Sequence, residues 1–509
     1  MTAMRALCSG MAVDHRVVDA QGWAALAQHM HAQDARLLAL WGSDTRLQCG
    51  GFTVHACWLQ RDALTLAELV LACGVTHYPA LHALFPVADR LQRALRDLLG
   101  LQAPGMDSRP WLRHTAWGAD EFPLRRDAPE RGPERAPEAE RYAFVAVDGE
   151  GVHEISVGPV HAGIIEPGQF RFSVVGEKVL RLEPRLGFAH KGVERRFQQL
   201  TLNEGAGLAA RLCGDSAAAN AWAYCMALET LAEVRIPPRA GALRALLLER
   251  ERLANHLGDL GAIVNDAGFG FGLAQFSRLK EDLLRLNARV FGARYPMGAI
   301  QPGGVAFDLD DDAQSMLRTQ CGVLRREVER LKVILDQHEG LQDRLAATGR
   351  VAPDLARRLG MLGLASRASG QALDLRAIPG LAPYDKLGVR IAVEQGGDVA
   401  ARVAVRFAEV FESLRLSLAL LDALPEGPHI LALPEVIAPG LALGVVEGWR
   451  GPAFIALQAG EGGRIARCHP HDPSWQNWPA LEWIMVQDIV PDFPLINKSF
   501  NLSYSGHDR

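Results

Sequence analysis

The chain has 509 residues, 49% of them hydrophobic and 22% charged, an ordinary globular composition too long for one core and suited to about two to four domains. With 54 basic against 59 acidic residues and a net charge of −5, it has no excess positive field for nucleic acid. No run of about 18 apolar residues suggests a membrane span, and Asp14, His15 and Arg16 interrupt any greasy export signal.

Residues 1–126 mix a helical pattern, "WAALAQHMHAQDARLLAL", with the strand-like "GFTVHACWL", and read as a small α+β domain. Residues 127–142 follow as a linker: "RRDAPERGPERAPEAER" spaces prolines among charges and cannot bury a core. The remainder, 143–509, opens on alternating apolar and polar residues up to about 187, which read as several strands with tight turns. From about 190 the period changes. "AAANAWAYCMALETLAEV" and "ALRALLLERERLANHLGDLGAIVNDAG" are apolar nearly all round, as central helices of a bundle are. Further helices are expected near 275–292, 311–346, 353–371 and 399–423, then a closing hairpin and an extended tail. "GFGFG" at 268–272 follows a helix instead of a strand, so it reads as an interhelical loop and not a phosphate loop. The fold class is therefore α+β.

Eight cysteines stand at 8, 49, 57, 73, 213, 225, 321 and 468. None forms C-x-x-C, which excludes a self-contained zinc ribbon or ferredoxin-type cluster. Reduced thiols are expected, each as a small buried residue.

Three stretches together, "GPVHAGIIEPGQFRF" from 158, "HKGVERRFQQLT" from 190 and "YDKLGVRIAVEQGGDVAARVAVRFAEVFESLRL" from 384, resemble the large subunit of the membrane-bound [NiFe]-hydrogenase family, of the formate hydrogenlyase and hydrogenase-4 branch. They are similar also to the 49 kDa subunit of respiratory complex I. The resemblance covers 143–509. In the first domain, "QRALRDLLGL" and "WGADEFPLRRD" look like the closing motifs of the complex I 30 kDa subunit, with Gln92 and Ala94 where that family has acidic residues. Such a domain precedes the large one in this branch.

The resemblance implies two C-x-x-C pairs of nickel–iron ligands, because soft thiolates hold these low-valent metals. The first pair falls here on Cys213 and Ser216, the second on Ser503 and Gly506. One thiolate of four remains, so nickel is not expected and no metal site is assigned. The related hydrogenases carry a C-terminal extension removed after nickel insertion; this chain is expected to need no such processing. In complex I the cavity without metal receives the quinone headgroup, so quinone is a candidate ligand. His161 stands where that family presents a histidine to the quinone on a hairpin loop, while its tyrosine aligns with Gly214. Cavity candidates are His161, Arg211, Cys213, Asp215, Ser216 and Ser503, with Arg211 expected to hold a carboxylate such as Glu194 or Asp215. Glu166, Glu194, Glu204, Glu229 and His256 are candidates for proton coupling around the cavity, or for an ion network that orients helices.

The resemblance implies a peripheral subunit on the cytoplasmic side of the membrane, docked to a small [4Fe-4S] iron–sulfur partner and to membrane-arm subunits. It would pass electrons to a quinone-like acceptor coupled to ion translocation. The alternative is a structural or coupling subunit whose cavity is inert.

Overall fold

The computed structural model describes residues 7–114, 117–129, 142–161 and 165–509. In the first domain, β1 (Ala12–Val18), α1 (Ala20–Ala32), β2 (Arg36–Thr45), β3 (Gly51–Gln60) and β4 (Ala63–Val70) build a sheet in the order β1-β4-β3-β2, with β1 parallel to β4 and the rest antiparallel. The Asp19 side chain caps α1 by accepting from the Gly22 amide at 2.7 Å, satisfying a donor that the first helical turn leaves free. A second helix, α2 (Ala88–Leu99), buries Leu91, Leu95 and Leu98 in the same core.

The stretch from Trp23 to Leu40, helical by its pattern, is half helix and half strand. Asp34 turns the chain at φ 59°, and Leu37 through Trp41 then run extended and wholly buried. A strand covered on both faces is continuously apolar, and that run does not distinguish it from a buried helix.

Most of the expected linker, residues 130–141, lies outside the described residues. The large domain opens on an antiparallel sheet of β5 (Val152–Val157), β6 (Gln169–Val175) and β7 (Lys178–Arg185). Its bundle comprises α3 (Ala217–Leu231), α4 (Pro238–Asp266), α5 (Gly270–Phe291), α6 (Asp311–Asp336) and α7 (Val399–Asp422). Every residue of α3 is buried, which explains its lack of a polar face. "GFGFG" is the loop between α4 and the first turn of α5, as its position after a helix suggests.

Residues 311–346 and 353–371 break into shorter helices at Glu339–Leu345, Pro353–Arg358 and Gly363–Arg367. The closing hairpin is present and gains a third strand: β8 (Gly440–Gly448), β9 (Gly451–Ala459) and β10 (Ile465–His471) are antiparallel. The tail is not extended. It forms α8 (Ser474–Ile484) and α9 (Phe493–Phe500), with Pro479 inside α8 and Pro494 in the first turn of α9, where a proline is tolerated. Among the described residues no helix is long and apolar enough to cross a membrane.

The two domains meet along β2 and β10. The Trp41 indole lies stacked between His55 and His469, with ring centroids 4.9 and 5.3 Å away. Arg467 donates to the Gly42 carbonyl at 2.9 Å, and the Gln476 amide donates to Leu37 and Leu38 carbonyls at 3.0 and 2.9 Å.

Candidate functional site

The loop entering α3 carries Cys213, Asp215 and Ser216. Three other segments converge on it: α4 from behind, the β8–β9 turn with Trp449 and Arg450, and the C-terminal stretch with Ser503 and Tyr504. The Cys213 thiol donates to Asp215 Oδ1 at 2.9 Å, and its sulfur lies 3.0 Å from Ser503 Oγ. Arg450 grips Asp215 in a fork, with both N–O distances 2.6 Å, the strongest geometry available to such a pair. Arg450 also donates to Ser216 Oγ at 3.3 Å, and Ser216 donates to Asp215 Oδ1 at 3.2 Å. Asn255 and Trp449 fix the backbone by donating to the Asp215 carbonyl at 2.7 and 2.9 Å.

The charges follow from this packing. Burial works against the Asp215 carboxylate, but the Arg450 guanidinium prevails and holds it below the usual range. Burial pushes the Cys213 thiol up, so it stays protonated instead of becoming a thiolate. At Gly506 a Cβ would lie 2.6 Å from Asp472 Oδ2 and 2.8 Å from Ser503 Oγ. The Asp472 carboxylate, itself raised by burial, thus fills the space a side chain at 506 would use.

A nickel–iron centre needs thiolate donors, and this arrangement does not fit one: a single protonated thiol, two hydroxyls, a carboxylate committed to an arginine, and a glycine. Among the described residues no three His, Cys, Asp or Glu side chains are arranged to hold a metal ion.

A cavity of about 830 Å³ runs from the surface to this cluster. It brings together five of the expected residues, His161, Glu166, Cys213, Asp215 and Ser503, and adds Arg450 and Tyr504. Val157, Ile165, Phe493 and Leu502 supply apolar wall. His161 lies in the loop between β5 and β6, its Nε2 donating to the Gly168 carbonyl at 2.7 Å. Glu166 accepts from the Ser505 amide at 2.8 Å, pinning the tail beside the cavity.

The other expected residues stand elsewhere. Arg211 is exposed and donates to the Gly207 carbonyl at 2.7 Å; it points away from both carboxylates it was expected to hold, and Arg450 takes Asp215 instead. Glu194 is buried at the domain junction with Arg467, Arg509 and His469; burial disfavours its charge, yet the two guanidiniums hold it well below the usual carboxylate range. Glu204 is exposed and accepts from Thr201. Glu229 is gripped by Arg244 at 3.0 and 2.7 Å and accepts the Gly303 amide. His256 meets Glu409 at 2.8 Å in a buried ion network with Arg252 and Arg367, and burial lowers its imidazole. Of the proton-coupling candidates only Glu166 lines the cavity; Glu194, Glu229 and His256 stand in buried ion pairs.

Arg450 and Tyr504 were not found from sequence. Arg450 is 237 residues from Cys213, and no local pattern in "GWRG" announces a partner at that separation. Tyr504 sits beside an expected residue, but only the fold shows that it faces the cavity.

The comparisons with known proteins agree with this architecture. Residues 16–134 match the respiratory-chain NADH dehydrogenase 30 Kd subunit model and residues 266–442 the 49 Kd subunit model. A 30 kDa-like domain fused ahead of a 49 kDa-like domain defines the class: a large subunit of the complex I and hydrogenase kind. The chain is 31% identical over 493 residues to formate hydrogenlyase subunit 5 of Escherichia coli (strain K12), spanning 94% of this chain and 86% of that one. It is 29% identical to hydrogenase-4 component G of the same organism, over 95% of this chain and 86% of that one. A chain in the structure of an archaeal respiratory complex, the membrane-bound sulfane sulfur reductase, superposes with a TM-score of 0.67 at 25% identity, covering 71% of this chain and 99% of that chain. The chain belongs to the family of formate hydrogenlyase subunit 5 and hydrogenase-4 component G.

Proposed function

We propose that this chain is a nickel-free large subunit of a membrane-associated respiratory or energy-converting oxidoreductase complex. It takes electrons from a partner iron–sulfur subunit and passes them to a quinone-like acceptor in the 830 Å³ cavity, coupled to ion translocation. It docks peripherally on the cytoplasmic side of the membrane, against membrane-arm subunits.

One observation supports this reading: the cavity reaches the positions where the resemblance implies the C-x-x-C pairs, and Arg450, Asp215, Cys213 and Ser503 line it there. Its volume suits an organic headgroup, and apolar walls with a few convergent polar groups are what such ligands need. The chain has no C-x-x-C pair, so the electrons come from a partner. Substituting His161→Ala in the assembled complex tests the reading; quinone-dependent electron transfer is expected to fall about tenfold for the loss of one positioned polar group. Unchanged quinone-dependent turnover would refute it.

The Asp215–Arg450 pair favours a second reading, a coupling subunit with an inert cavity, because it commits the charges nearest the inner end to each other. A purified complex carrying cluster iron but no quinone would support that reading.

A further inference from the structure

A second cavity, of about 260 Å³, opens between the two domains and shares no residue with the 830 Å³ cavity. The first domain supplies the end of α1, the start of β2 and the stretch before α2; the large domain supplies the helix Pro353–Arg358 and the turn after it. Buried Leu37, Phe85 and Leu359 give it an apolar lining. Three arginines also line it, Arg36 from the first domain and Arg357 and Arg358 from the large one.

Arg36 is the least compensated of the three. It is half-buried, donates to the neutral Gln371 amide oxygen at 3.3 Å, and among the described residues forms no ion pair with a carboxylate. Burial holds its pKa below the ordinary value; Asp34 and Glu447 favour the charge from a distance, while the Arg357 guanidinium opposes it. Two cations from different domains therefore meet at one opening, where a charge withdrawn from water calls for a partner.

The rim is positive and open. Arg357 Nε lies 3.7 Å from Asp34 Oδ2 with both side chains more than half exposed, an arrangement worth little in water. Arg358 lies over the face of the Trp483 ring at 4.9 Å. The acids of the lining are Asp34 and Asp354, two against three arginines, and His31 packs edge-on against Phe85. The cleft is also held in shape across the junction: the Gln371 amide that receives Arg36 donates to the Pro353 carbonyl at 3.1 Å, tying Arg36 to the helix that carries the other two arginines.

We propose that this interdomain cleft binds a small oxyanion, a phosphate or carboxylate group, held by Arg36 from one domain and Arg357 from the other. Guanidinium N–H pairs match such groups in shape and charge, and the apolar lining receives a short hydrocarbon part beside the anion. A ligand held by both domains binds the folded junction and not the unfolded chain, so it stabilises the junction by mass action. The assignment is independent of the quinone reading.

The test is calorimetric titration of the purified complex with inorganic phosphate, and separately with acetate, at constant ionic strength. Saturable binding of at least one probe is expected, weakened about tenfold by Arg36→Gln and by Arg357→Gln through loss of one charge-assisted contact. Arg357 is exposed, so its variant reads the site without disturbing the fold. Asp34→Asn removes a competing carboxylate and is expected to tighten binding. Tighter phosphate than acetate assigns a phosphate-bearing ligand, and the reverse order a carboxylate. Binding that neither arginine variant weakens, or no saturable binding to wild type beyond a chloride control of equal ionic strength, would overturn the assignment.

Discussion

Arg450 is the residue on which the inner end of the cavity depends. Asp215 lies on the loop that would carry metal ligands, and its charge is tolerable there because Arg450 meets both carboxylate oxygens. Removing one member of a buried pair leaves the other uncompensated, which costs far more than exchanging both for neutral groups. Arg450→Ala is therefore expected to lose about 3 kcal/mol, and the double variant Arg450→Met with Asp215→Asn to recover most of it, as read by chemical denaturation. The pH dependence has a definite sign. Asp215 is held below its ordinary value, so its contribution is present above about pH 4 and lost as pH falls through the lowered value. If Arg450→Ala is as stable as wild type at pH 7, the pair does not hold this loop.

At this scale the sequence was informative where resemblance named a position and silent where the fold supplied a partner. Cys213, Ser503 and His161 were expected at one cavity and are there. Arg211 was expected beside a carboxylate because it precedes Cys213 closely, but adjacency on a turn says little about direction, and its side chain folds back to Gly207.

Beside the cavity, a helix end is capped by a carboxyl from the neighbouring helix. The α3 N-terminus follows Ser216 directly, and its free amides are met by Glu251 from α4: Ala218 and Ala219 donate to its two oxygens at 2.7 and 3.2 Å. Burial nonetheless pushes the Glu251 carboxyl up to about 8. A carboxyl raised on folding binds its proton more tightly in the native state, so stability is full below its unfolded value of about 4.3 and declines as pH rises toward 8. Wild type is expected to lose stability across that interval with a slope of up to about 1.4 kcal/mol per pH unit from this group, and Glu251→Gln to remove that part of the slope. Parallel curves for the two proteins would show that Glu251 stays charged throughout.

Element types were readable where pattern and environment agree. The long apolar runs of α3 and α4 gave helices because nothing else buries them, and the sheet of β5–β7 followed from its alternation. β2 and the C-terminal helices were not readable. β2 is buried on both faces, which erases its period, and the prolines near α8 and α9 suggested an extended chain where the helices accommodate them.

Over the whole molecule, the domains are joined by a buried layer of aromatic rings and imidazoles. Trp41 stacks between His55 and His469, and Trp475 stacks on His507 at 3.9 Å. Burial pushes His55 down to about 3 and His469 and His507 to about 4; Arg467 and Arg509 stand among them and oppose a further positive charge. Glu68, Glu194 and Asp508 are the acids in contact. A histidine lowered on folding stabilises above its unfolded value of about 6.5 and loses that contribution as pH falls through the lowered one. Acidification between about pH 6.5 and 4 is thus expected to weaken the junction, seen as hydrogen exchange rising first along β2 and β10. Uniform exchange across both domains would contradict this. The domain order was legible in sequence through its two resemblances, whereas this junction was not, because its residues lie hundreds of positions apart and pair only once both domains are folded.

The most direct measurement purifies the chain with its native partners in mild detergent and determines nickel, iron, labile sulfide and extractable quinone in one sample. The cavity built by Cys213, Asp215, Ser503 and Arg450 predicts iron and sulfide from the partner, bound quinone and no nickel. Stoichiometric nickel would contradict the account, since it would require ligands other than the single thiol this site offers.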